Sequence, residues 1–165
     1  MIGLISDTHS LLREEVLNNL IDCELIIHTG DIGKSDVISK LNEISDVEFI
    51  RGNCDKDERI AKEDKIIKVY NTCIYLIHDI SKINIDLKRE NINIIIYGHS
   101  HKASIYEKND ILYINPGSVG PRRFNLPISM AKLKILDCED IFDEIKEVNK
   151  NVYRYKNYEI EFVYI

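Results

Sequence analysis

Apolar and polar positions in the first fifty residues follow two alternating periods. Residues 2–5, 24–28 and 47–50 are short apolar runs that read as buried strands. Between them, Leu12, Val16, Leu17 and Leu20 recur at helical spacing within 11–20, and Ser35-Asp36 opens a second helix with Val37, Ile38 and Leu41 on one face. This βαβαβ order predicts parallel pairing with right-handed crossovers. Beyond it the pattern changes. Runs over 65–70 and 73–78 flank Asn71-Thr72 as a hairpin, and 103–108 and 111–114 flank Asn109-Asp110 as another. Further strands fall at 93–97 and 130–136, and a short helix is expected over 83–90. All three prolines and two of the seven glycines lie between Pro116 and Pro127, the strongest loop signal in the chain. In the tail, Ile141, Phe142, Ile145 and Val148 suit a short helix, and 158–165 alternates like a strand.

The length of 165 residues suits one domain over 1–165 with a sizeable core, and 44% hydrophobic with 30% charged residues is an ordinary globular balance. No apolar stretch is long enough to span a bilayer. The N-terminus has no basic region before its apolar run, so it reads as a first strand, and a cytoplasmic location with no membrane partner is expected. Cys23, Cys54, Cys73 and Cys138 have no CxxC spacing and read as free thiols. Of the net charge of −6, residues 137–165 supply −4 through eight acidic and four basic side chains. The remaining body has no basic stripe, which disfavours nucleic acid as a partner. Neither G-x-G-x-x-G nor G-x-x-x-x-G-K-[ST] occurs, which removes the nucleotide-binding classes built on them. A homo-oligomer is compatible with the sequence.

Four of the five histidines fall in short motifs, each just after an apolar run. The ordered set is Asp7-Thr8-His9, Gly30-Asp31, Gly52-Asn53, His78 and Gly98-His99-Ser100-His101. Taken singly, Asp-x-His or Gly-Asp is a common solvated turn. Taken together, five strand ends place imidazole, carboxylate and amide oxygen on one rim, where α/β sheets bind ligands. These donors suit borderline-to-hard divalent cations and are too many for one ion. Residues two apart in extended backbone point to the same side, so Asp7 with His9, and His99 with His101, can serve neighbouring ions. Glycines 30, 52 and 98 each precede a ligand, where the backbone must turn sharply and approach closely.

This series resembles the calcineurin-like metallophosphoesterase superfamily. Gly52-Asn53-Cys54-Asp55 and Asn115-Pro116-Gly117-Ser118 are similar to its small prokaryotic YfcE-like phosphodiesterase branch. The resemblance covers about residues 1–136 and leaves an acidic extension over about 137–165 poorly explained. It implies an α/β fold, a four-layer α/β/β/α sandwich of two mixed sheets flanked by helices. It also implies two divalent metal ions, with manganese as the default and nickel, iron, cobalt or zinc as substitutes. Asp7, His9, Asp31 and His101 would hold the first ion, and Asp31, Asn53, His78 and His99 the second, with Asp31 bridging. The implied activity is hydrolysis of small phosphoesters, foremost phosphodiesters, by in-line attack of a hydroxide bridging the metals. Asp31, Asn53 and His99 would be the catalytic groups. Asn53 can also touch the phosphate, and Arg122 and Arg123 are candidate phosphate-binding residues because guanidinium suits that anion. Arg51 reads as a packing or salt-bridge residue. A retromer subunit similar in fold, in which the site serves protein binding, is the alternative from another class; all seven ligand positions are filled here, which favours the enzyme. A nuclease of the same superfamily is disfavoured by the acidic balance.

Three residues stand apart from that pattern. His28 lies on an apolar strand and reads as a hydrogen-bonded core histidine. Asp79 follows His78 where relatives usually carry glycine, and is expected to face solvent or to accept from an imidazole. Larger relatives carry histidine after Gly-Asn, where it can protonate the leaving group; Cys54 stands there instead, a poorer acid with pKa about 8.5. Aryl phosphodiesters should therefore turn over well and alkyl ones slowly. A rate series across leaving-group pKa checks this, and a flat series would contradict it.

Overall fold

The computed structural model describes residues 1–56, 61–123, 125–137 and 142–165. The chain runs β1 (Ile2–Ile5), α1 (Glu14–Leu20), β2 (Leu25–His28), α2 (Asp36–Asn42), β3 (Asp46–Phe49), β4 (Asp64–Val69), β5 (Thr72–Ile77), β6 (Ile94–Ile96), β7 (Ser104–Lys108), β8 (Ile111–Asn115), β9 (Ser129–Ile135), β10 (Phe142–Asn149), β11 (Val152–Lys156) and β12 (Tyr158–Tyr164). A seven-stranded sheet has the order β10-β11-β12-β9-β1-β2-β3, and a five-stranded sheet the order β4-β5-β6-β8-β7. Both are mixed: β1-β2-β3 and β5-β6-β8 pair in parallel, and their neighbours antiparallel. The parallel trio follows from the helical crossovers, as the alternating pattern predicts.

The two sheets face each other across a dry layer that includes Leu4, Ile27, Leu76, Ile94, Leu112 and Leu133, all fully buried. The helices cover the outer face of the larger sheet through Val16, Leu20, Val37 and Leu41. Parallel strands buried on both faces need near-continuous apolar runs, which is why β2 and β6 read so plainly in the sequence. At the β7–β8 turn, Asn109 and Asp110 both adopt left-handed backbone (φ 55° and 63°), the pair of conformations a two-residue hairpin requires.

The segment expected as a helix over 83–90 is not helical. A short 3-10 turn at Ile80–Lys82 is followed by irregular chain lying on the outer face of the smaller sheet. Ile83, Ile85 and Leu87 pack there, spaced two apart, which suits extended chain more than a helix. The Asp86 carboxylate then accepts from the Lys88 and Arg89 N–H groups at 3.1 Å each, a local turn that competes with helix.

The tail also departs from expectation. Phe142–Asn149 is a strand, not a helix; Ile141 lies outside the described residues. Its pairing with β11 breaks register between Phe142 and Lys146 and again between Glu147 and Asn149. Such bulges interrupt the alternation, so the apolar residues of an edge strand fall at spacings of three that mimic a helix. β12 is integral to the core. It pairs with β9 over seven residues and buries Tyr158, Ile160 and Phe162. The acidic extension thus completes the larger sheet. No described helix is long and apolar enough to cross a membrane.

Candidate metal centre

The C-terminal ends of strands from both sheets meet at one rim. Asp7 and His9 follow β1, Asp31 follows β2, His78 follows β5, and His99 and His101 follow β6. Five of these six have left-handed backbone: Asp7 (φ 55°), His9 (45°), Asp31 (55°), His99 (67°) and His101 (57°). For residues other than glycine this conformation costs about 1 kcal/mol or more each, and it persists only where surrounding contacts over-determine it. Those contacts are backbone bonds between neighbouring loops. Asp7 N–H donates to the Gly30 carbonyl at 3.0 Å and His9 N–H to the Asp31 carbonyl at 2.9 Å. Gly30 itself has φ 96°, and a Cβ there would stand 2.6 Å from the Gly52 nitrogen, so two loops that carry candidate ligands meet back to back without side chains between them.

Asp7 and Asp31 are buried, and their oxygens face three imidazoles. His101 Nε2 is 3.2 Å from Asp7 Oδ1, His78 Nε2 is 3.5 Å from Asp31 Oδ2, and His9 Nε2 lies 3.7 Å from Asp31 Oδ2 and 4.0 Å from Asp7 Oδ1. Burial pushes both carboxyls up. The Asp7 contacts with His101, Ser6 and His78 outweigh it, as do His78 and the Cys54 N–H (2.8 Å) at Asp31, so both lie below the usual carboxylate range. His78 Nδ1 lies 2.7 Å from the Thr29 carbonyl, which can only accept, so Nδ1 carries a proton whether or not the ring is charged, and Nε2 faces the carboxylates. Burial would lower the His78 pKa, but its contacts with Asp31 and Asp7 raise it above the ordinary value.

These residues fit a cation. Asp7 Oδ1 and His78 Nε2, 3.9 Å apart, are buried with no hydrogen-bond partner. Buried polar atoms are normally satisfied, so unmet ones converging on a rim point to a missing partner. Among the described residues, three donor groups lie within 4.8 Å: Asp7 with His9 and His101; Asp7 with Asp31 and His78; and His9 with Asp31 and Cys54.

Asn53 and His99 stand at the exposed edge of this cluster and bond each other, Asn53 Oδ1 to His99 Nδ1 at 3.0 Å. The His99 ring meets the His78 ring edge-on at 5.3 Å. Arg123 reaches the centre, its Nη2 lying 3.2 Å from His9 Nε2, whereas Arg122 is exposed beside a small hollow formed with His101 and Ser118. Arg51 bridges Glu63 at 2.7 Å. Asp79 is partly exposed, in keeping with a solvent-facing side chain, and caps the 3-10 turn by accepting from the Ser81 N–H and hydroxyl. The Cys54 thiol is raised by burial and by its contact with the Asp31 carboxylate.

Other residues fix the loops, and sequence reasoning gave them no role. The Asp55 carboxylate accepts from the Ile32, Gly33 and Gly52 N–H groups at 2.9–3.0 Å, tying the Asp31 loop to the Asn53 loop. Buried Asn115 donates to the Gly98 carbonyl (2.7 Å) and the Ser100 hydroxyl (3.0 Å) and accepts from Gly117 N–H, holding the loop that carries His99 and His101. Ser118 donates to the Asp7 carbonyl at 3.2 Å. The Gly-Asn-Cys-Asp and Asn-Pro-Gly-Ser motifs were visible in the sequence, but their bonding was not. His28, as expected, is a satisfied core residue. Gly30 N–H donates to its Nδ1 (3.2 Å), so Nε2 carries the proton and donates to Thr8 Oγ1 (2.9 Å), which in turn donates to the Ile32 carbonyl (2.9 Å).

Known proteins resemble the chain throughout. The model of the Calcineurin-like phosphoesterase superfamily domain matches residues 1–138. A probable metallophosphoesterase of Methanothermobacter thermautotrophicus is 30% identical over 171 residues, covering 96% of this chain and 98% of that protein. A phosphodiesterase of Methanocaldococcus jannaschii is 26% identical over 137 residues, covering 70% of this chain and 82% of that protein. In fold, the zinc-complexed wild-type Vps29 of Entamoeba histolytica matches with a TM-score of 0.67 at 21% identity, over 99% of this chain and 98% of that one.

The His28 bonding has a pH consequence. Burial lowers its pKa from 6.5 to about 4, and a proton on Nδ1 would also face the Gly30 N–H. The unfolded chain therefore binds the proton first. The stability carried by neutral His28 is full above pH 6.5 and is lost as pH falls toward 4, on the order of 3 kcal/mol. His9, also lowered by burial, adds to the same limb, while the raised His78 acts above pH 6.5 and Asp7 and Asp31 below 3.8. Urea unfolding of metal-free protein at pH 7.5 and pH 5 should show the loss. His28→Gln, which bonds without titrating, should reduce it, and an equal loss in that variant would contradict the assignment.

Proposed function

The chain belongs to the calcineurin-like phosphoesterase superfamily, and on that footing we propose that it hydrolyses phosphodiesters with two divalent ions, manganese foremost, held at the rim. The observation that carries this reading is the convergence of buried, unpartnered donor atoms from both sheets on one point. Asp7, His9, Asp31 and His101 would hold one ion, and Asp31, His78, His99 and Asn53 the other. Such ions supply Lewis acidity, lowering the pKa of water toward neutrality and offsetting charge on phosphate oxygens.

The chain's own groups do the rest. The Cys54 N–H and the His78 ring keep Asp31 ionised and oriented. The Thr29 carbonyl holds the proton on His78 Nδ1 and so keeps Nε2 available as a ligand. Asn53 turns its oxygen to His99 here, and its amide N–H can donate to a phosphate oxygen. Arg123 donates to His9 Nε2, the same lone pair an ion would use. With an ion held by His9, Arg123 would be free to bind phosphate, whose oxygens its planar donors match two at a time. Cys54 directs its thiol to Asp31, so it is a poor donor to a departing alkoxide.

A Vps29-like protein-binding module is the second reading, favoured by the likeness in fold. Hydrolysis of bis(p-nitrophenyl) phosphate with added manganese separates the two. Wild-type protein should turn it over, and Asp31→Asn and His99→Ala should each lose at least about a hundredfold, the scale of removing groups that position charge in a site. Activity no greater than in those variants would remove the enzyme reading.

A further inference from the structure

A cleft of about 360 Å³ opens directly from the candidate centre, with Asn53 and His78 in its wall. Resting on the phosphoesterase reading, we propose that this cleft receives the second, non-departing substituent of a phosphodiester, and that this substituent is uncharged and rich in hydroxyls, as a glycerol or a sugar is.

The lining sets the class. Ile77 supplies the only apolar side chain among the described residues that line it, and their one ring, the His78 imidazole, is buried and held against the Thr29 carbonyl, so a nucleobase finds no open aromatic face among them. Among the described residues the ionic side chains are Arg51 and Lys82 against Glu63, Asp64 and Asp79, which leaves them one net negative charge. A second phosphate or carboxylate on the substrate would be repelled. Hydroxyls are not, because each can donate and accept. Acceptors are supplied by Glu63, by Asp64, which already takes the Tyr75 hydroxyl at 2.7 Å, and by Asp79. Donors are supplied by exposed Lys82 and Asn84, whose side chains make no hydrogen bond among the described residues. At about 30 Å³ per water, the cleft holds on the order of a dozen waters, which suits a hexose or smaller polyol. A phosphomonoester has no second substituent and leaves this wall unused, so the cleft also favours diesters.

The test fixes the leaving group and varies the rest. p-Nitrophenyl phosphodiesters bearing methyl, glyceryl, 5′-thymidyl or carboxyethyl as the second substituent share one chemistry, so differences in KM report the cleft. The glyceryl ester should show a KM roughly fivefold to tenfold below that of the methyl ester, the yield of one or two added hydrogen bonds. The thymidyl and carboxyethyl esters should bind no better than the methyl. Lys82→Met and Asn84→Ala should each shrink the glyceryl advantage to less than about threefold. Equal KM values for glyceryl and methyl esters, preference for the thymidyl ester, or an advantage that survives both substitutions would overturn the proposal. If none of the esters is hydrolysed, calorimetry on manganese-loaded protein decides separately. Tighter binding of glyceryl methyl phosphate than dimethyl phosphate would uphold the cleft while removing the hydrolase reading, and equal binding would overturn the cleft.

Discussion

Two ionised carboxylates, Asp7 and Asp31, stand side by side in a buried rim, and the surrounding structure is organised around keeping them there. Burial opposes their charge, and each charge opposes the other. Imidazoles from the smaller sheet and backbone N–H groups counter both effects: His101 and His78 face the carboxylates, Cys54 N–H reaches Asp31, and His99 N–H reaches Asp7 at 3.2 Å. Asp7 and Asp31 come from one sheet and the imidazoles of His78, His99 and His101 from the other. The charge balance therefore exists only when the two sheets face each other in register. Close packing of the isoleucine- and leucine-rich layer between them is what fixes that spacing.

The same demand explains where the backbone is strained. A strand that simply ended would send the next side chain away from the rim. Turning five of the candidate ligands into the left-handed region brings their side chains back over it, at an energetic cost that local bonds offset. Asp55 and Asn115 contribute most visibly to that offset, since each makes three side-chain hydrogen bonds, all to loop backbone or to the Ser100 hydroxyl. Substitutions at these two positions would act on the centre through loop geometry, without touching a ligand.

Residues whose surroundings are set by local pattern were legible in the sequence. The parallel trio shows as apolar runs separated by helical spacing, and the ligand series shows because chemistry-bearing residues follow each run. The outer cover of the smaller sheet was misread because Ile83, Ile85 and Leu87 lie flat on a surface that only the finished sheet provides. β10 was misread because its bulged pairing to β11 shifts its apolar residues off alternation. Asp55 and Asn115 sit in visible motifs, yet their partners are 20 or so residues away or nearer across a turn, and sequence adjacency says nothing of such bonds. The pairing of Asn53 with His99, and the reach of Arg123 to His9, likewise depend on loops from opposite sheets meeting.

The central claim is that donors from two sheets form one centre for two divalent ions. The most direct measurement is calorimetric titration of metal-free protein with manganese, with bound metal counted by elemental analysis. The account predicts two ions per chain, with loss of both sites' tight binding when Asp31, proposed as the shared ligand, is replaced by alanine. Absence of binding at millimolar manganese, or unchanged stoichiometry and affinity in the Asp31→Ala protein, would contradict it.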